Sequence, residues 1–267
     1  MPLPPEIKRL PCVLQEFHQS GLLKPVLWDT LFGKSGFVRN FSEDVARLAA
    51  VRSINISGKE HLPQSGGGLV VFNHPDIDVI PPAIASLAGA LYEGGRSDLV
   101  FVMGYWLISF GFVGLGLDFG LEILSKRFTR LYPDNFIVVP TRASRKDYRQ
   151  CRDRVKEEIV KRMSEGKLVA LTPEGQIEAD NIILPKKVFR HGSGYLARKA
   201  SGLGLPIIPV AIWESGDKKI ELAIGSAFRV EGTSNQEAVI QVMENIANLM
   251  PSHLRGPFNS QECKFFS

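Results

Sequence analysis

The chain has 267 residues, 44% of them hydrophobic and 22% charged, with 25 glycines and 17 prolines. These proportions exclude a disordered chain, a collagen-like fibre and a coiled coil, and the length allows roughly three quarters of the unfolded surface to be buried. A formal net charge of +4 is too weak to argue for a nucleic-acid partner. The three scattered cysteines, Cys12, Cys151 and Cys263, form no CxxC pair or Cys/His cluster, so they read as reduced thiols in a cytoplasmic protein, with no metal site expected.

In chain order, residues 1–45 predict short helices broken by proline and glycine. The opening MPLPPEIKRLP lacks an apolar h-region, so no cleaved signal peptide is expected. Ser42 suits the N-cap of a helix over 43–50. From there strands and helices alternate. Strands are predicted at 51–56, 68–72, 99–103, 136–139, 168–171, 206–213 and 219–224. Several are continuous apolar runs, the pattern of strands covered on both faces.

Pro81 and Pro82 ahead of AIASLAGAL mark a helix start, because proline suits a first turn. Tyr148, Cys151, Val155, Ile159 and Met163 recur on one face of a helix over 144–165, with Gly166 as its stop. Ser234-Asn-Gln-Glu237 reads as a capping box opening a last helix that ends at Pro251 and turns Val239, Val242, Ile246 and Leu249 inward. Such alternation predicts an α/β fold, a mostly parallel sheet flanked by helices, preceded by a short helical N-terminal segment. The expected domains are a helical segment over 1–45 that contacts a membrane, an α/β domain over 46–251 and a loosely ordered tail over 252–267.

One stretch bears on membranes. Residues 99–117 carry no charge, which is transmembrane length, but they include Gly104, Gly111, Gly114 and Gly116. They read as a buried strand followed by an aromatic, glycine-broken segment. That segment serves as core, or dips into lipid, or lines an acyl slot.

The chemistry-bearing residues follow predicted strands. One apolar strand ends on Asn73-His74, with Asp76 and Asp78 close behind; another ends on Thr172-Pro173-Glu174-Gly175. Open α/β sheets place ligand sites at strand C-terminal ends. A histidine there, steadied by a carboxylate, serves as a general base. Basic residues flank both loops: residues 142–167 hold ten Lys/Arg against five Asp/Glu, and Lys186, Lys187, Arg190, His191, Arg198 and Lys199 follow. They read as solvated helix faces or as a rim attracting phosphates or anionic lipid heads.

Taken in order, these segments resemble the PlsC-type glycerolipid acyltransferases, the glycerol-phosphate and lysophosphatidate acyltransferase family. The resemblance spans about 51–213. G-x-E-x-L-P matches Gly58, Glu60, Leu62 and Pro63. Asn73-His74 with Asp78 stands for N-H-x4-D. Phe136 to Arg142 stands for the arginine block, and Thr172-Pro173-Glu174-Gly175-Gln176-Ile177 for F-P-E-G-T-R. Phe189-Arg190-His191-Gly192 and Pro206-Ile-Ile-Pro209-Val210 complete the series.

The resemblance implies transfer of a fatty acyl group from acyl-CoA or acyl carrier protein to a hydroxyl of a lysophospholipid or glycerol phosphate. It implies His74 as base, Asp78 as its orienting acid, and Arg142, Glu174, Gly175 and Arg190 at the acceptor, with Lys187 of the basic cluster as a further source of charge. It also implies a peripheral place on the cytoplasmic face of a membrane, acyl carrier protein as a candidate partner, and no metal or organic cofactor.

Two departures stand out. Asp78 arrives one residue early, leaving Asp76 as an alternative partner, and Gln176-Ile177 replaces Thr-Arg. Ile177 cannot hold a phosphate. Either the acceptor is unphosphorylated, or Arg142, Lys187 or Arg190 supplies the charge. Acylation of a different acceptor and a non-catalytic lipid-binding relative stay open as alternatives.

Overall fold

The computed structural model describes residues 18–34, 36–76, 79–104, 127–139, 148–174, 178, 182–184, 189, 191–216, 219–232 and 234–259. Two helices, α1 (Leu23–Phe32) and α2 (Phe41–Ala49), precede the sheet. The strands are β1 (Ile54–Ser57), β2 (Gly68–Phe72), β3 (Leu99–Gly104), β4 (Phe136–Val139), β5 (Leu168–Leu171), β6 (Ile207–Glu214) and β7 (Ile220–Ile224). The other long helices are α3 (Ile80–Glu93), α4 (Tyr148–Ser164), α5 (His191–Gly202) and α6 (Asn235–Leu249).

The seven strands form one sheet in the order β1-β7-β6-β2-β5-β3-β4, and every neighbouring pair is parallel except β6 with β7. Strand β2 is central, bonded to β5 on one side and β6 on the other, and all five of its residues are buried. That is why its sequence is an unbroken apolar run rather than an alternation. Val70 and Phe72 face a core shared with Ala83, Leu87 and Leu91 of α3 and with Val45 and Leu48 of α2. Leu69 and Val71 face the other core, built from Ile159 and Met163 of α4, Leu196 and Ala200 of α5, and Val242 and Ile246 of α6. Two helical layers therefore sandwich the middle of the sheet, whereas β1 at its edge alternates between half-buried and exposed residues.

The N-terminal helices are fastened to the sheet edge. Phe41 packs on Phe101, Tyr132 and Phe136 with ring centroids 5.6–6.3 Å apart. Arg39 bonds Asp44 at 2.6 and 2.9 Å and also pairs with Asp29, while Tyr132 donates to Asp44 at 2.6 Å. Burial opposes ionisation of Asp44, but the bonds from Arg39 and Tyr132 prevail and hold its carboxyl below the usual range.

All seven predicted strands are present, three of them with the predicted ends and the others with ends moved by at most three residues. The helix at α2 starts earlier than predicted. Asn40, not Ser42, is the cap: its Oδ1 accepts from Glu43 N, and Ser42 Oγ donates to the same oxygen at 2.7 Å. The capping box of Ser234 and Glu237 forms as expected.

Helix α5 has no counterpart in the sequence reading, because it opens His191-Gly-Ser-Gly194 and glycine disfavours helix by about 1 kcal/mol each. Packing explains the second glycine. A Cβ on Gly194 would lie 1.8 Å from the Asn235 carbonyl oxygen at the start of α6. Gly194→Ala must push α5 and α6 apart, so urea unfolding should show a loss of about 1–3 kcal/mol. Unchanged stability would contradict this close crossing.

Candidate active site

Parallel pairing brings the C-terminal ends of β2, β5, β3 and β4 to one edge of the sheet, and β6 runs parallel to β2. The chain beyond β2 is Asn73-His74; the chain beyond β5 leads to Glu174. Asn73 is fully buried and joins two strands at this edge: Ile212 N donates to its Oδ1 at 2.8 Å, and its Nδ2 donates to Ile212 O at 2.8 Å. Its Nδ2 also donates to Glu178 Oε2 at 2.9 Å.

His74 and Glu174, 100 residues apart in sequence, meet directly. His74 N donates to Glu174 Oε2 at 2.9 Å, and Leu184 N donates to Glu174 Oε1 at 3.0 Å. Glu178 N donates to His74 O at 2.7 Å. Both main-chain polar groups of His74 are thus held by the loop after β5. Its ring is half-buried and lies with Nδ1 3.4 Å from Pro75 O, a long contact. Burial pulls the imidazole below its ordinary value of 6.5, so the ring is neutral at pH 7.

Glu174 and Glu178 are 0% and 1% exposed. Burial raises Glu174 above the usual carboxylate range despite the N–H groups of Leu184 and His74. Burial and the neighbouring Glu174 push Glu178 well above it. Among the described residues, the groups meeting Glu174 are protein groups of the two loops.

Of the residues expected at the site, the structure brings His74 and Glu174 together. Asp78, Arg142, Gly175, Lys187 and Arg190 lie outside the described residues, as does the apolar segment from Tyr105. Asp76 is half-buried at the loop that leads into α3, its carbonyl accepting from Val79 N at 2.9 Å. The sequence reading passed over Glu178. Its one signal was the four-residue spacing from Glu174. A cavity of about 300 Å³ lies at the opposite edge, lined by Leu62, Gln64, Leu91 and Arg96 among others. Arg96 there is already bonded to Asp98 and to the carbonyls of Pro63, Gly66 and Gly166.

The Acyltransferase family model matches residues 53–213, more than half of the chain. This chain belongs to the acyltransferase family. The crystal structure of the 1-acyl-sn-glycerophosphate (LPA) acyltransferase PlsC from Thermotoga maritima superposes with a TM-score of 0.51 over 91% of this chain and 95% of that one, at 16% identity. The likeness is one of fold. No curated protein matches the sequence. Among the described residues of this acyltransferase, no helix is long and apolar enough to cross a membrane.

The bonds predict a separation of roles. Asn73→Ala leaves the Ile212 N–H and C=O and the Glu178 carboxyl short of partners in a buried place, and should cost about 2–4 kcal/mol in chemical denaturation. His74→Ala removes only a half-buried ring and should change stability by less than about 1 kcal/mol. Equal losses would contradict the assignment of Asn73 as the structural member of the pair.

Proposed function

We propose that this acyltransferase moves a fatty acyl group from acyl-CoA or acyl carrier protein to a hydroxyl of a glycerolipid-type acceptor, a lysophospholipid or glycerol phosphate, with His74 as general base. The observation that carries the reading is the state of His74: an imidazole at a strand end, its backbone pinned on both sides, its ring partly open and kept neutral by burial. With Nδ1 turned to Pro75 O, Nε2 is the nitrogen left to take a proton.

The acceptor hydroxyl gives its proton to Nε2 as its oxygen bonds to the thioester carbonyl carbon. Collapse of the tetrahedral intermediate breaks the carbon–sulfur bond, and the imidazolium returns the proton to the departing thiolate. Asp78 orients the ring, with Asp76 as the alternative. Arg142, Lys187 and Arg190 supply charge for an acceptor phosphate, and Gly175 lines the acceptor's approach. Glu174, with both oxygens engaged by backbone N–H groups, contributes by fixing the His74 loop that the acceptor meets.

His74→Ala should lower turnover by about 10²–10⁴-fold in an assay with labelled acyl thioester. A non-catalytic lipid binder would show no such loss. Because a base must be unprotonated and burial lowers this imidazole, kcat/KM should fall only on acidification below pH 6.5. An acid limb centred above that value would contradict His74 as the group. Comparing phosphorylated with unphosphorylated acceptors in the same assay tests what replaces the arginine missing at Ile177.

The same reading places the enzyme peripherally on the cytoplasmic face of a membrane. Trp28 and Phe32 on α1 are 65% and 63% exposed, with Leu27, Phe37 and Val38 also exposed and Lys24 and Lys34 beside them. Large apolar side chains bordered by lysines suit an anionic bilayer interface. Trp28→Ser with Phe32→Ser should weaken sedimentation with anionic vesicles by at least about tenfold. Undiminished binding would remove α1 from the membrane contact.

A further inference from the structure

The hydrogen-bond pattern around Asn73 leaves one buried carboxyl oxygen without a partner. Ile212 N can only donate, so the atom of Asn73 that faces it must be Oδ1, and Nδ2 therefore faces Glu178 Oε2. Glu178 Oε2 is thus an acceptor. Glu174 accepts from His74 N on one oxygen and from Leu184 N on the other. That leaves Glu178 Oε1, which is buried and meets no donor. Among the described residues, no lysine or arginine pairs with either carboxyl. Two adjacent buried carboxyls with no cation among the described residues resist joint ionisation. A proton on Glu178 Oε1 gives that atom a bond to make, whereas each Glu174 oxygen already holds an N–H.

We propose that Glu178 is a positioning residue for His74: as a neutral carboxylic acid it accepts from Asn73 on Oε2 and donates from Oε1 to the Glu174 carboxylate. The chain of bonds then runs from β6 through Asn73, Glu178 and Glu174 to the main-chain N–H of His74. Glu178 N closes it on His74 O. The inter-loop clamp is complete only in this protonation state. Burial and the neighbouring Glu174 carboxylate both favour it. The kinetic consequence rests on His74 acting as the base, as proposed above; the proton itself does not.

Glu178→Gln and Glu178→Ala test this. Glutamine offers an acceptor to Asn73 and an N–H to Glu174, so E178Q should keep kcat within about threefold of wild type. E178A lacks both bonds, lets the His74 loop shift, and should lose at least about tenfold in kcat with a smaller change in KM. The ring signals of His74 in NMR should move in E178A and stay in place in E178Q. An infrared difference spectrum of wild type minus E178Q at pH 7 should contain the carbonyl stretch of a protonated carboxyl.

Linkage gives a further sign. A carboxyl that keeps its proton in the fold but loses it on unfolding stabilises less as pH rises, whereas glutamine does not titrate. The Tm of E178Q should therefore gain on that of wild type between about pH 5 and pH 8.

An absent carbonyl band, an E178Q as impaired as E178A, or a wild type that gains on E178Q with rising pH would each overturn the proposal. If E178A fails to fold, E178Q and the band decide it. If wild type transfers no acyl group, the acyl-transfer reading fails, while the band, the His74 signals and the pH trend still judge the clamp.

Discussion

Burying a charged carboxylate is expensive unless donors meet it. Glu174, 0% exposed, is met by the N–H groups of His74 and Leu184. Those two bonds tie the end of β2 to the loop beyond β5 and to the segment at 182–184. Asn73 adds the tie to β6 through paired bonds with Ile212. Separating these segments would strand a carboxyl and an amide in a dry place, so they stay together. The position of the His74 main chain follows from that constraint.

The sheet explains why such a clamp is available. Continuous apolar strands covered on both faces leave polar residues nowhere to go but beyond the strand ends, and parallel pairing of β2 with β5 and β6 gathers those ends on one edge. Two loops and strand β6, from distant parts of the sequence, meet there. The chain segment that carries His74 is therefore held from behind by buried groups.

The strands were legible because a two-faced core demands unbroken apolar runs, and 68–72, 136–139 and 168–171 match to the residue. Helix α5 was not, since Gly194 answers to the backbone of Asn235 rather than to helix propensity. The cap at Asn40 was misplaced because Ser42, an equally good capping type two residues on, supports Asn40 instead of capping. At the site, Asn73-His74 and Glu174 stood out as polar residues ending apolar strands. Glu178 did not: its side-chain partner Asn73 is 105 residues away, and a four-residue spacing from Glu174 alone does not announce a buried carboxyl. Asp78, Arg142, Gly175, Lys187 and Arg190 rest on the sequence pattern and the resemblance.

His74 is held in place by the buried Glu174 carboxyl, and native-state hydrogen exchange reads that bond directly. The His74 and Leu184 amides should exchange as slowly as those of β2, and both should speed up together in Glu174→Ala while amides of β7 do not. Fast exchange of the His74 amide in the wild-type protein, at the rate of an exposed loop, would contradict it.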